Sequence, residues 1–438
     1  MRELDQDEVV TDAEGAAMTG GLTPAEKAER PTVDFDHHSR EYVERGVEIM
    51  HGLRQKCPVA WSEEHGGYWV ATRHDDVTTV FKNDETYSSE NWQGRGPRQG
   101  VLHPPTPHKE GMMEEDPPAF IAYRKPLTKY FSQPAIERIR PEIEDYAGWA
   151  IDQVIESGEA ELVMGIFAAV PALLTNRFLG LPLKEATTHA LAMQMAFSIP
   201  PDGTPEDRAK ADQLFRWSTG AFRAAAAERR KNPTDDLISL VANLRVDGEL
   251  LDMEEVVGNS FLLMSGGIST TTALLANVFT YFDEHPETRD WIKEDYSRLK
   301  TAGQEFLRYF SPVQGLARTA TRQCALGDVT IEEDERIWMA MGAANRDPEV
   351  FPNPDELDLE RSPNKHVAFG VGMHRCMGSH MAMAMFEIVT EQTLRRMPDL
   401  KIDRERSRRY QSTGVLNGWA ELWATFTPGK PNGSTLAL

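Results

Sequence analysis

Ten residues near the C-terminus constrain this chain more than any others: Phe369-Gly370-Val371-Gly372-Met373-His374-Arg375-Cys376-Met377-Gly378. Phe, Gly, Cys and Gly fall at the spacing F-x-x-G-x-x-x-C-x-G. A cysteine in such a run sits in a tight loop, with backbone N–H groups turned toward sulfur and little side-chain bulk beside it. Gly370, Gly372 and Gly378 supply the unusual dihedrals and the close approach. Phe369 packs beside the sulfur and keeps water out. The chemistry that asks for this arrangement is thiolate ligation of haem iron, where an electron-donating sulfur favours O–O cleavage. The competing reading is a structural cysteine in a glycine-rich turn.

The rest of the chain narrows the setting. Its 438 residues suffice for one large domain or two or three ordinary ones, and 40% apolar content supports a substantial core. Only Cys57, Cys324 and Cys376 are cysteines, too few for a disulfide framework, so a reducing cytoplasm is expected. A net charge of -22 argues against nucleic acid and anionic membrane surfaces as partners. The N-terminus stays polar to Arg30 and has no apolar leader or anchor. Residues 1–33 are expected to form a disordered arm. Val256 to Phe282 carries no charge and has the length to span a bilayer. Its Asn, Ser and Thr content fits a long helix buried in a protein core better than lipid.

No internal repeat is present. Tyr68, Trp69 and Val70 read as a strand, followed by a helix near Asp75 to Lys82. A long Gly-, Pro- and His-rich loop runs from Asn91 to Pro118, the kind that serves as a lid or binding loop. Helices are predicted over Tyr123 to Phe131, Ile136 to Ser157, Glu206 to Arg230, the uncharged stretch, Tyr296 to Tyr309 and Gly378 to Arg396. Pro200-Pro201-Asp202-Gly203 marks a turn. Short strands are expected at Ala317 to Thr319, Val329 to Ile331 and Ile337 to Met341. The helix after the cysteine loop points its positive dipole end at the thiolate. The composition is mainly α with a minor β part.

Further motifs stand in a fixed order. Glu305-Phe306-Leu307-Arg308 is E-x-x-R on a helix, followed by Ser311-Pro312-Val313 and Arg318. Then come Ala344-Asn345-Arg346-Asp347-Pro348, Phe351-Pro352-Asn353-Pro354, Asp358-Leu359-Glu360-Arg361 and His366-Val367-Ala368-Phe369-Gly370. In this order they resemble the cytochrome P450 family, in particular its soluble bacterial haem-thiolate monooxygenases. The resemblance runs from about Cys57-Pro58-Val59 to Phe426. It implies the cytochrome P450 fold, with haem b (iron-protoporphyrin IX) between the long oxygen-binding helix and the cysteine loop. Glu305 and Arg308 lie one turn apart and can share a buried ion pair. The family adds an arginine, matched by Arg361, and the triad is structural.

What the resemblance implies for single residues is specific. Cys376 is the axial iron ligand, within the loop of Phe369, Gly370 and Gly378. His374, Arg318 and Arg124 match the positions that hold the haem propionates. Family members often read D-P-P-x-H-T-R-L-R before that last arginine, whereas this chain has Phe120 at the histidine position. Gly266 and Gly267 match a small-residue pair that leaves room over the haem. Thr270 matches the threonine that handles oxygen and positions water. The acid that usually precedes it is Ser269 here. A carboxylate relays protons well, and a hydroxyl does so only through a water chain. Two routes stay open: monooxygenation with protons passed by Ser269, Thr270 and water, or use of hydrogen peroxide as a peroxygenase. A non-catalytic haem sensor is a third reading.

No flavin or iron–sulfur motif is present, and three cysteines do not ligate a cluster alongside haem. The resemblance implies electrons from a ferredoxin and a ferredoxin reductase using NAD(P)H. Lys125, Lys129, Arg138 and Arg140 would form a basic docking patch on an acidic protein. Leu262, Gly266, Val313, Gln314, Leu316 and Val415 are candidate substrate-lining residues. They imply an apolar pocket with Gln314 as polar handle, for a small hydrophobic substrate undergoing hydroxylation or oxidative O-dealkylation. Residues 34–428 are expected to form one haem domain, with a tail at 429–438, in a monomer without a membrane anchor.

Overall fold

In the computed structural model the described residues are 30–106, 108–199, 203–434 and 436. Residues 1–29 of the arm expected over 1–33, and residues 200–202 of the expected turn, lie outside them, whereas residues 30–33 are described and packed against the fold rather than disordered. The helices are α1 (Arg40–Lys56), α2 (His74–Lys82), α3 (Ala119–Leu127), α4 (Gln133–Asp152), α5 (Ala169–Leu179), α6 (Ala186–Ser198) and α7 (Pro205–Lys231). They continue with α8 (Leu237–Ala242), α9 (Met253–Glu284), α10 (Pro286–Glu294), α11 (Leu299–Phe310) and α12 (Ser379–Arg396). The main sheet holds β1 (Val59–Ser62), β2 (Tyr68–Ala71), β3 (Tyr87–Ser88), β4 (Gly315–Ala320) and β5 (Arg336–Ala340), in the order β1-β2-β5-β4-β3. β2 and β5 run parallel, and the other neighbours are antiparallel.

Helix ends follow local chemistry more closely than hydrophobic period. The helix predicted from Tyr123 begins at Ala119, because Pro118 pre-sets the backbone at its N-cap. The one predicted from Ile136 begins at Gln133, with a proline in its first turn where the missing N–H costs nothing. The strand predicted at Ile337 to Met341 is shifted by one residue, and Met341 opens a helical turn.

Helix α9 is the axis of the large helical core. It starts at a capping box, in which Asp252 accepts from the Glu255 N–H and Glu255 accepts from the Asp252 N–H. It has the length and apolarity to cross a membrane, yet protein covers most of it. Several of its polar side chains are satisfied locally or used as ties. Ser260, Thr272 and Thr280 donate back to the carbonyls of Val256, Ile268 and Ala276, each at 2.8 Å. Asn259 Oδ1 accepts from Met112 N at 3.0 Å, and Asn277 donates to Asn417 O at 2.8 Å. Phe279, Phe282, Phe306 and Phe386 pack between α9, α11 and α12. Each such burial contributes about 1.5–3 kcal/mol.

The termini of the described chain are tied in. Thr32 bridges to Trp61, and Arg30 pairs with Glu335 at 2.5 Å. At the other end Asn432, Gly433 and Ser434 donate backbone N–H groups to Asp152 at 2.9–3.1 Å.

Candidate functional site

The cysteine loop is shaped by its glycines. Gly370 and Gly372 have φ of +64° and +75°. A Cβ on Gly372 would stand 2.6 Å from the Phe81 carbonyl oxygen, so the loop is pressed against the end of α2. Cys376 N–H donates to Phe369 O at 2.7 Å and closes the loop. Gly378, the N-cap of α12, directs its own N–H at the Cys376 sulfur. The protein atoms packed around the Cys376 sulfur push its thiol up, although the residue keeps an exposed face, while that N–H and the Arg124 and Arg375 guanidiniums act against the shift.

The motifs upstream hold this loop in place. Glu305 and Arg308 are paired at 2.7 Å with both side chains buried, and Arg361 reaches Glu305 at 3.1 Å. Arg308 also donates to the carbonyls of Asn345, Pro354 and Glu356. Asn345 Oδ1 then accepts from Val367 N at 2.7 Å, at the entry of the cysteine loop. The triad thus reaches the loop through one buried asparagine.

The three residues assigned to an anion lie near one another. Arg124 donates to Arg375 O at 2.5 Å, and neither Arg124 nor Arg318 forms a salt bridge among the described residues. Arg318 is 1% exposed, and its Nε is without a partner. Burial lowers its pKa to about 10, against the pull of Asp116, Asp84 and Glu114. His374 has Ser89 Oγ at 3.3 Å, and its pKa falls to about 3 through burial and the charges of Arg318 and Arg124. Phe120 stacks on the His374 ring at 3.9 Å. Buried guanidiniums without a counter-charge are costly unless an anion joins them.

The facing candidates divide on α9. Leu262, Gly266 and Thr270 form one stripe with some exposure in a helix that is otherwise largely buried. Nothing lies within 4 Å of where a Gly266 Cβ would stand. Gly267 differs from the expectation: a Cβ there would meet Thr175 Oγ1 at 2.6 Å, so this glycine lets α5 approach α9. Thr270 Oγ1 donates to Gly266 O at 3.1 Å. Ser269 is 3% exposed, and its hydroxyl has no hydrogen-bond partner among the described residues.

Of the substrate candidates, Val313 bridges to Leu416 and the neighbouring Gln314 N donates to Val415 O at 2.9 Å, which sets Val313 beside Val415. Leu316 is half-buried on β4. Gln314 is not a free polar handle. It accepts from Tyr42 Oη at 3.2 Å, donates to Phe310 O and Ser311 O, and lines a separate cleft of about 400 Å³ beside α1. Two loop organisers were not anticipated. Arg336 donates to Gly100 O and Leu102 O, and Glu114 accepts from Asn91, Val101 and Glu110. Their signal was only a charge next to a predicted strand and an acidic run. Over the loop, His108, Phe215 and Phe261 form an aromatic contact joining it to α7 and α9.

Comparison with known proteins agrees with this geometry. Residues 206–409 match the family model for cytochrome P450. The erythromycin C-12 hydroxylase of Saccharopolyspora erythraea is 32% identical over 379 residues, covering 84% of this chain and 91% of the relative. The steroid C26-monooxygenase of Mycolicibacterium smegmatis is 28% identical over 404 residues, covering 92% and 98%. A Mycobacterium marinum cytochrome P450 solved with pseudoionone superposes with a TM-score of 0.82 at 26% identity, covering 91% of this chain and 99% of that one. The chain belongs to the cytochrome P450 family, the haem b-dependent oxidoreductases, and its monooxygenase relatives are bacterial. The residues present fit the cofactor: an exposed cysteine in a glycine loop for the iron, and two arginines without carboxylate salt-bridge partners among the described residues for the propionates.

Proposed function

We propose that this protein inserts one oxygen atom from O2 into a small hydrophobic substrate, by hydroxylation or oxidative O-dealkylation, with electrons from a ferredoxin and its NAD(P)H-dependent reductase. The observation that carries this is the Cys376 loop, where Gly378 N–H faces the sulfur beside Arg124, Arg318 and His374. Haem ligated by a thiolate supplies oxygen activation at a saturated carbon. Cys376 Sγ is the ligand, and Phe369 shields it within the loop of Gly370 and Gly378. Arg124 and Arg318 bring charge to the propionates, and neutral His374 brings one N–H.

Thr270 Oγ1 holds the proton to be delivered, released from its bond to Gly266 O by a turn of the hydroxyl. Gly266 keeps bulk away from the reacting side. Leu262, Val313, Leu316 and Val415 exclude water and orient an apolar molecule. A steroid, erythromycin and pseudoionone set the size range: relatives are named for the first two, and the last is bound in a solved neighbour. Lys125, Lys129 and Arg138 are exposed, whereas Arg140 is committed to Glu387 at 3.0 Å, so three of the four expected cations offer a docking face. Residues 34–428 act as one haem domain, and the three unpaired cysteines suit a cytoplasmic setting.

A peroxygenase reading is favoured by one observation: Ser269 Oγ has no partner among the described residues to draw a proton from. Turnover under 18O2 separates the readings. Incorporation of one labelled atom with ferredoxin, reductase and NADH supports the monooxygenase. Product only with hydrogen peroxide supports the peroxygenase, and no product from either supports a sensor.

A further inference from the structure

Four histidines gather far along the chain from the cysteine loop. His37 and His38 precede α1, His65 sits in the turn between β1 and β2, and His103 belongs to the long loop. The His37 ring centroid lies 4.4 Å from His38, 5.5 Å from His65 and 5.6 Å from His103. Asp36 joins them, with His65 Nε2 at 2.7 Å from its Oδ1. Ligand atoms of Asp36, His37 and His65 all fall within 4.8 Å of one another.

The hydrogen bonds fix which nitrogens are free to bind. Nε2 of His37 and Nε2 of His38 both contact the His103 carbonyl, at 2.7 and 2.9 Å. A carbonyl only accepts, so both Nε2 atoms carry hydrogen and both Nδ1 atoms present lone pairs. His37 Nδ1 accepts from Tyr68 Oη at 2.8 Å, and that hydroxyl has a second acceptor in Phe35 O at 3.2 Å. A donated Nε2–H against a backbone carbonyl is the outer-shell arrangement that orients metal-binding imidazoles. His65 is held at φ +52°, a strained backbone that presents its ring to Asp36.

An independent observation points to a ligand at this cluster. His103 is 3% exposed, and neither of its ring nitrogens has a hydrogen-bond partner among the described residues. Its ring stacks on His37 and lies 5.8 Å from His65.

We propose that Asp36, His37 and His65 form a binding site for a first-row divalent metal ion, zinc by its ligand set, with a water in the fourth position hydrogen-bonded to the His103 ring. Two imidazoles and a carboxylate with one open position are a familiar zinc set. On binding, His65 Nε2 gives its proton to solvent, and the Tyr68 hydroxyl moves its hydrogen bond to Phe35 O. The ion ties the segment before α1, the β1–β2 turn and the long loop together. His38 extends the tie to the C-terminal turn, through Ser412 at 2.7 Å.

The test uses untagged, haem-loaded protein, stripped with a chelator and dialysed against zinc chloride. Elemental analysis should give one zinc per chain. Cobalt substituted at the site should show the visible bands of tetrahedral coordination. His65→Asn tolerates the left-handed backbone and Asp36→Asn keeps the acceptor for the His38 N–H, so both variants keep the fold, as an unchanged haem spectrum would show. Each should weaken zinc affinity at least tenfold. Zinc should raise the melting temperature of the parent protein and not of the variants. Uptake by the parent no greater than by the variants, or a melting temperature indifferent to zinc, overturns the proposal.

Discussion

Phe120 lies on the ring of His374, with centroids 3.9 Å apart and planes 27° from parallel. The position where related sequences often place a propionate donor is here an apolar plate over another donor. Burial then keeps His374 neutral, and Arg124 sits 5.5 Å from the Phe120 ring. With the propionates placed as proposed, that side of the site is drier and depends on its two arginines.

Replacing Phe120→His restores a donor to this pocket. A hydrogen bond to a charged group contributes about 1.5–3 kcal/mol. Transfer of haem to an excess of acceptor protein should slow roughly tenfold or more. An unchanged transfer rate would show that Phe120 does not border the propionates.

The Glu305–Arg308–Arg361 triad holds the cysteine loop through Asn345. Burial raises the Glu305 carboxyl, but Arg308, the Asp358 N–H and Arg361 outweigh it and hold the group below its ordinary value. Its stabilisation is therefore present above the ordinary carboxylate range and is lost as pH falls through the depressed value. Glu305→Gln should lower stability by about 3–5 kcal/mol, because two buried guanidiniums lose their charge partner. Thermal unfolding followed by haem release should show this, with the gap between variant and parent closing in acid.

Glu110 behaves in the opposite sense. Burial and the nearby Glu114 raise its carboxyl from 4.5 to about 7. The folded loop therefore holds a proton that the unfolded chain has lost, and loop stability falls as pH rises across that interval. Hydrogen exchange of residues around Gly111, corrected for the intrinsic base-catalysed rate, should quicken from pH 5 toward pH 7. Glu110→Gln should flatten the profile, and a parallel profile in the variant would assign the effect elsewhere.

Gly266 and Gly267 are adjacent but answer to different neighbours. Gly266→Ala meets nothing within 4 Å, so it should stabilise the helix by about 0.5–1 kcal/mol while crowding the reacting side. Gly267→Ala collides with Thr175 on α5 and should cost about 1–3 kcal/mol. Melting temperatures of the two variants should move in opposite directions, and movement in the same direction would contradict the division.

The sequence order of short motifs was enough to place the cysteine loop, the triad and the long helix. Each is set by local chemistry: glycines at positive φ, charges one turn apart, an uncharged run. What stayed hidden depends on contacts between distant segments. Helix α5 is buried on nearly every side and shows no clear period. Gly267 serves α5, and Gln314 is taken up by Tyr42 and two carbonyls, because the strand's neighbours decide which face it presents. Arg336 and Glu114 hold the long loop by bonds spanning up to 236 positions, beyond any motif window.

The most direct measurement is the ferrous–carbon monoxide difference spectrum of the purified protein, beside that of Cys376→Ala. Thiolate ligation by Cys376 predicts a Soret band strongly red-shifted from that of a histidine-ligated haem, and its loss in the variant. An unshifted band in the parent protein, or a shifted band that survives the substitution, would contradict the assignment of Cys376 and the chemistry built on it.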